Sequence, residues 1–122
     1  MSSRTVLKHM LNDSASLDRA FSALADPVRR GMLARLSRGP ASVSELAAPL
    51  PISLPAVLQH LKSLEASGLV ASRKKGRVRT VTLDAKALST AEDWLTRRRK
   101  EWEAQHDRFD EYVARLKAKG EN

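Results

Sequence analysis

The sequence predicts a mainly helical fold with a small β-hairpin (α+β) and a long C-terminal helix. Apolar residues recur at helical spacing up to Gly68, the period changes to two between Leu69 and Leu83, and a helical pattern then continues to about Lys119. At 122 residues the chain is predicted to form one domain, 1–122. Within it we expect a core over residues 14–83 and a terminal helix over residues 84–119.

The first two helices are predicted from apolar spacing and from a start signal. Helix one carries its apolar residues at Leu17, Phe21, Leu24 and Ala25. Asp26 followed by Pro27 is typical of a helix start, because the carboxylate can cap free backbone N–H groups and proline is tolerated in the first turn. Helix two should therefore begin there and end before Gly39-Pro40.

Two more helix starts follow closely. Ser42 and Glu45 have capping-box spacing, which predicts a short third helix ended by the prolines at 49 and 51. Ser53 can cap a fourth helix, with Pro55 in its first turn and Gly68 just beyond its end. Its predicted apolar side consists of Leu54, Val57, Leu58, Leu61 and Leu64, and its other face of Ala56, Gln59, His60, Lys62 and Ser63.

A strongly basic hairpin follows the fourth helix. Its turn is predicted near Lys75-Gly76, with a return strand from Val78 to Leu83. The cations at its tip are Arg73, Lys74, Lys75, Arg77 and Arg79. The whole chain has a net charge of +8 and a pI of about 10.4, and this balance favours a polyanionic partner.

Two short helices followed by a basic hairpin are the layout of a winged helix-turn-helix. In this layout the hairpin is called the wing, and here it carries the five cations from Arg73 to Arg79. A helix fits the major groove of DNA when the residues near its N-terminus are small or polar. The candidate contacts on the fourth helix are Ser53, Pro55, Ala56, Gln59, His60 and Lys62. Gln59 can pair with adenine, Lys62 is placed for a phosphate, and the five hairpin cations can bind the flanking backbone or minor groove. His60 is expected to be partly buried, with its ring reaching a backbone or phosphate group.

The terminal helix carries an apolar residue at every seventh position. These residues are Leu88, Leu95, Trp102, Phe109 and Leu116. A sustained seven-residue repeat presents one seam to a partner helix, so we expect this helix to form the interface of a homodimer.

Several classes of protein are excluded by what the sequence lacks. With no cysteine, disulfides and thiolate metal sites are impossible. The chain has no glycine-rich phosphate loop and no Gly-x-Ser-x-Gly, so neither an enzyme nor a cofactor is expected.

No apolar run is long enough to span a membrane, and the polar N-terminus lacks a signal-peptide core, so the prediction is a cytoplasmic protein without a membrane partner.

The region from residue 23 to residue 83 resembles the ArsR family of bacterial repressors. The resemblance rests on "LADPVRR", "VSELA", "SLPAVLQHLKSLEASGLV" and the basic wing, and "WLTRRRKEWEAQHDRFDEYV" resembles the tail of a subgroup. It implies a homodimer joined by terminal helices, recognition helices in successive major grooves of a palindromic operator, and repression. Leu58 and Gln59 depart from the small polar residue and lysine common in the family, and "SELAAPL" lacks the cysteine motif of its metal sensors.

Two alternative functions remain open at this stage. A metal-responsive repressor would use hard ligands on the terminal helix, and the candidates there are Glu103, His106, Asp107 and Asp110. A winged-helix module that binds protein or RNA would use the same fold for another partner.

Overall fold

The computed structural model describes the backbone of residues 3–120 and the side chains of residues 14–120. Its elements are α1 (Ser3–Leu24), α2 (Pro27–Leu36), β1 (Ala41–Ser42), α3 (Val43–Ala47), α4 (Leu54–Ala66), β2 (Val70–Lys75), β3 (Val78–Leu83) and α5 (Ala85–Gly120). The predicted fold class is confirmed. The chain divides into two compact units, Met1–Ala91 and Glu92–Asn122, and α5 contributes residues to both.

Side chains of α2 hold together the junction between α1 and α2. Asp26 caps α2 as predicted, because its carboxylate accepts the backbone N–H of Arg29 at 2.9 Å. The Arg29 guanidinium donates to the carbonyls of Ser22 and Ala23, and Arg30 donates to that of Leu24. These carbonyls lie in the last turn of α1, where they have no partner within the helix. The "DPVRR" segment therefore begins one helix and caps the end of the preceding one.

The buried face of α1 differs from the predicted one. Ala20 and Ala23 are buried, whereas Leu17 and Phe21 are only half-buried. Ala25 lies beyond the end of the helix and is exposed, so its place in the apolar pattern was wrong. Close packing between helices favours small side chains at the contact, and spacing alone does not distinguish alanine in the core from alanine at the surface.

Local capping begins both helices of the helix-turn-helix. The predicted capping box is present: the backbone N–H of Ser42 donates to Glu45 Oε1 at 3.2 Å, and that of Glu45 donates to Ser42 Oγ at 3.1 Å. The bond from the Ser42 N–H is the main reason that the pKa of Glu45 lies below its ordinary value. Ser53 caps α4 through a bond from the Ala56 N–H, and Gly68 follows the helix with φ +79°.

The sheet has a strand that the sequence did not reveal. Its order is β1-β3-β2, with all neighbours antiparallel. β1 pairs Ala41 with Val81 and Ser42 with Thr80. Two residues are too few for a period of two to be visible, so the sequence predicted only the hairpin. Since Ser42 also caps α3, this pairing attaches the start of α3 to the wing.

One apolar core joins these elements within residues 14–91. Its most completely buried large side chains are Val57, Leu64, Leu69 and Val81. They come from α4, the residue before β2, and β3, so the core fixes the helix-turn-helix against the base of the hairpin. α5 begins beside it: Asp84 Oδ1 accepts the Lys86 N–H at 3.0 Å, as expected of a cap.

The first turns of α5 complete this core. Ala91 is buried, and Leu88 is half-buried against the core cluster. Leu88 therefore has a packing role within its own unit. No helix among residues 3–120 is long and apolar enough to cross a membrane.

Candidate DNA interface

The exposed face of α4 is broader than the predicted contact face. Most of the candidate contact residues on α4 and at its N-cap are exposed: Ser53, Pro55, Gln59 and Lys62. Ala56 and His60 are half-buried. Leu54 and Leu58, which were predicted on the apolar side, are instead 55% and 40% exposed.

The error at Leu54 and Leu58 has a geometric cause. The buried residues of α4, Val57, Leu61 and Leu64, already define a stripe at i, i+4 and i+7. At 100° per residue, Leu58 lies about 60° from Leu61 and outside the stripe, on the side of the exposed Lys62. Leu54 lies only about 20° from Leu61, and its exposure comes from its position as the first residue of the helix. A broad run of leucines conceals this rotation, because hydrophobicity alone does not set how wide the buried face is. The two leucines are therefore part of the surface that α4 presents to solvent.

His60 is placed against α2. Its Nδ1 atom is 3.7 Å from Asp26 Oδ2 and 3.4 Å from Arg29 Nη1. Together with the N–H bond from Arg29, the nearby His60 and Arg29 help hold the pKa of Asp26 below its ordinary value. The ring therefore links α4 to the cap of α2, and it is less accessible than Gln59 or Lys62.

The basic residues of the wing form no ion pairs with acidic side chains between residues 14 and 120. All five predicted wing cations are exposed, and none of the ion pairs between residues 14 and 120 uses one of them. Lys74 and Arg79 are directly opposite each other in the β2–β3 register. Like charges in that position destabilise a strand pair, so the arrangement favours an external anion. Gly76 makes the turn with φ +64°, a conformation that favours glycine.

A groove lies between the wing and the starts of α3 and α4. Its volume is about 530 Å³. Leu54 and Leu58 line one side, Lys74, Arg77, Val78 and Arg79 the other, and residues 42–44 complete it. The structure thus places the start of α4 beside the wing and adds apolar residues that the sequence interpretation had assigned to the core.

In the second unit, α5 exposes most of the seven-residue seam. Leu95, Trp102, Phe109 and Leu116 are 50–65% exposed, and Tyr112 is 56% exposed beside them. Trp102 stacks on His106 with ring centroids 5.1 Å apart. A row of large apolar side chains facing solvent is typical of a surface that another molecule covers.

Three of the four residues considered as metal ligands, Glu103, His106 and Asp110, lie close to side chains of opposite charge. His106 Nε2 lies 3.7 Å from Asp110 Oδ2, and Glu103 lies 3.6 Å from Arg99. Among the residues whose side chains are described, no three His, Cys, Asp or Glu side chains are grouped so as to hold a metal ion.

Several known transcriptional regulators are similar to this chain. A helix-turn-helix domain model matches residues 24–73. The HTH-type transcriptional regulator Rv2034 of Mycobacterium tuberculosis is 48% identical over 82 residues, covering 67% of this chain and 77% of that protein. The transcriptional repressor SdpR of Bacillus subtilis is 27% identical over 79 residues, covering 65% of this chain and 88% of the repressor.

A solved structure agrees with the sequence relatives. The crystal structure of an ArsR family transcriptional regulator is 46% identical and superposes with a TM-score of 0.71, covering 74% of this chain and 93% of the other. The residues matched by the helix-turn-helix model, 24–73, include α2, α3 and α4. The chain therefore belongs to the ArsR family of winged helix-turn-helix transcriptional regulators, and it is a DNA-binding protein rather than an enzyme.

Proposed function

We propose that the protein is a homodimeric repressor that binds a palindromic operator, with α4 in the major groove and the wing on the flanking backbone or minor groove. The observation that carries the proposal is the set of five exposed wing cations, unpaired with acidic side chains within residues 14–120, beside an exposed polar stretch of α4. Such cations replace condensed counterions on DNA, while the helix supplies contacts to base edges.

Within this proposal the residues have different tasks. Ser53 is exposed at the N-cap of α4 and Gln59 is exposed in its second turn, where small or polar groups can approach bases. Lys62 is exposed further along α4, and we assign it to a phosphate. Ala56 gives close approach, and His60 acts mainly by positioning α4 on α2.

The dimer would form through α5. The exposed residues Leu95, Trp102, Phe109 and Leu116 supply the seam, and Tyr112 widens it. Two-fold symmetry of such a dimer matches the symmetry of a palindromic site, since each half-site then receives one recognition helix. The repressor SdpR is one of the relatives, and this supports repression as the outcome of binding.

Footprinting on the region upstream of the protein's own gene tests the proposal. We expect protection of two half-sites about one helical turn apart, and selection from random duplexes should recover the same palindrome. A structured RNA of equal length is the matched competitor. If that RNA competes as well as the operator, or if no duplex is protected, the protein is not an operator-specific repressor.

A further inference from the structure

The exposed apolar residues of the first unit are concentrated in one place. Between residues 14 and 91, the large hydrophobic side chains that are strongly exposed are Leu54, Leu58 and Val78, at 55%, 40% and 54%. All three line the groove between α4 and the wing. Leucine or valine on a surface is common, but three converging from two elements on one groove indicate an apolar contact.

The rim of the groove limits what can occupy it. Lys74, Arg77 and Arg79 stand beside Val78, so the occupant combines an apolar group with nearby negative charge. Duplex DNA has this combination in its major groove, where each thymine carries an apolar C5-methyl group between two phosphate backbones. Membership of a DNA-binding family independently supports duplex DNA as the occupant of this groove.

We propose that Leu54 and Leu58 read thymine through its C5-methyl group, with Val78 closing the wing side of the groove. The inference rests on the proposed placement of α4 in the major groove. Leu54 and Leu58 are four residues apart and lie on the same side of the helix, so they can cover one or two neighbouring bases. Gln59, directly beside Leu58, then reads a base by hydrogen bonding while the leucines read by contact.

Deoxyuridine isolates this contact, because it differs from thymidine only by the missing methyl group. On a duplex selected by the wild-type protein, each thymine is replaced singly by deoxyuridine. We expect about a fourfold loss of affinity at one or two thymines per half-site, as burial of one methyl group predicts. Replacements outside the footprint provide the control and should leave the affinity unchanged.

Variants then assign the effect to the leucines. Leu58→Ala and Leu54→Ala should bind the thymine and deoxyuridine duplexes nearly equally, at the position that each leucine covers. Gln59→Ala is the matched control on the same helix: its affinity falls, but its preference for thymine over deoxyuridine should persist. Thermal unfolding of both leucine variants checks that the fold is retained.

Two outcomes separate this inference from the function on which it rests. If wild-type protein selects an operator but no deoxyuridine replacement weakens binding, the leucines do not read thymine and the proposed function stands. The leucines are equally excluded as thymine readers if both leucine variants keep the full preference for thymine. If no specific duplex is selected, the proposed function itself fails.

Discussion

Oδ2 of Asp26 lies 3.7 Å from Nδ1 of His60, which connects the start of α2 to the middle of α4. The same carboxylate accepts the Arg29 N–H, and Arg29 in turn donates to the end of α1. One acidic residue thus links three helices, including the one that is proposed to face DNA.

Removing this carboxylate should destabilise the protein. Asp26→Ala deletes the cap of α2, whereas Asp26→Asn keeps an oxygen that can accept the Arg29 N–H and loses only the charge. We expect the alanine variant to unfold at a clearly lower urea concentration and the asparagine variant to lie between it and wild type. Equal stability of all three proteins would contradict the capping role.

The contribution of Asp26 should also depend on pH. The Arg29 N–H bond, assisted by the charges of His60 and Arg29, lowers the pKa of Asp26. A lowered pKa in the folded state means that this stabilisation is complete above the ordinary carboxyl pKa and is lost as the pH falls through the lowered value. The difference in unfolding free energy between wild type and Asp26→Asn should therefore shrink as the pH falls through this lowered value. A difference that stays constant down to strongly acidic pH would show that the charge plays no part.

Reading and holding DNA should be separable. Gln59→Ala removes an amide placed for a base edge, and one good base contact contributes about 1–3 kcal/mol of discrimination. This variant should narrow the gap between operator and scrambled duplex. Arg77→Ala should weaken binding to both duplexes by similar factors, because phosphate contacts carry no sequence information directly. Titrations at matched salt measure the affinity of each variant for the operator and for the scrambled duplex. If Arg77→Ala loses discrimination and Gln59→Ala weakens both affinities equally, the wing and not α4 reads the sequence.

Affinity for DNA should fall steeply with salt because of the wing. Each phosphate contact contributes about −0.9 to the slope of log K against log salt. Lys75→Gln should reduce the slope by about that amount. Arg38→Gln, which removes an exposed cation outside the wing, is the matched control and should leave it unchanged. If the two variants change the slope equally, the dependence reflects total charge rather than the hairpin.

Dimerisation should depend on the α5 seam. Trp102→Glu places a charge where two apolar helices are proposed to meet, and an unpaired buried charge costs several kcal/mol. Sedimentation velocity should show a shift from dimer to monomer. Ala104→Glu adds the same charge two residues away from the seam position, at another exposed site, and should leave the dimer intact. A Trp102→Glu variant that still sediments as a dimer would place the interface elsewhere.

The sequence by itself determined the elements whose ends depend on local chemistry. Asp26, Ser42 and Ser53 each accept a hydrogen bond from the N–H three residues further on, and Gly68 and Gly76 each adopt positive φ. These interactions involve only neighbours in the chain, so residue type and spacing are enough to predict them. The basic hairpin and the seven-residue repeat were visible because each is a pattern of residue types along one continuous stretch of chain.

Tertiary structure decided which side of each element is buried and which distant residues meet. Pairing of β1 with β3, the contact of His60 with Asp26, and the packing of Leu88 on its own core all join residues far apart in sequence. The exposure of Leu54 and Leu58 belongs with them, because the width of a buried face depends on what packs against it. Local pattern cannot supply that information, since the free energy of burial depends on the area that other elements cover.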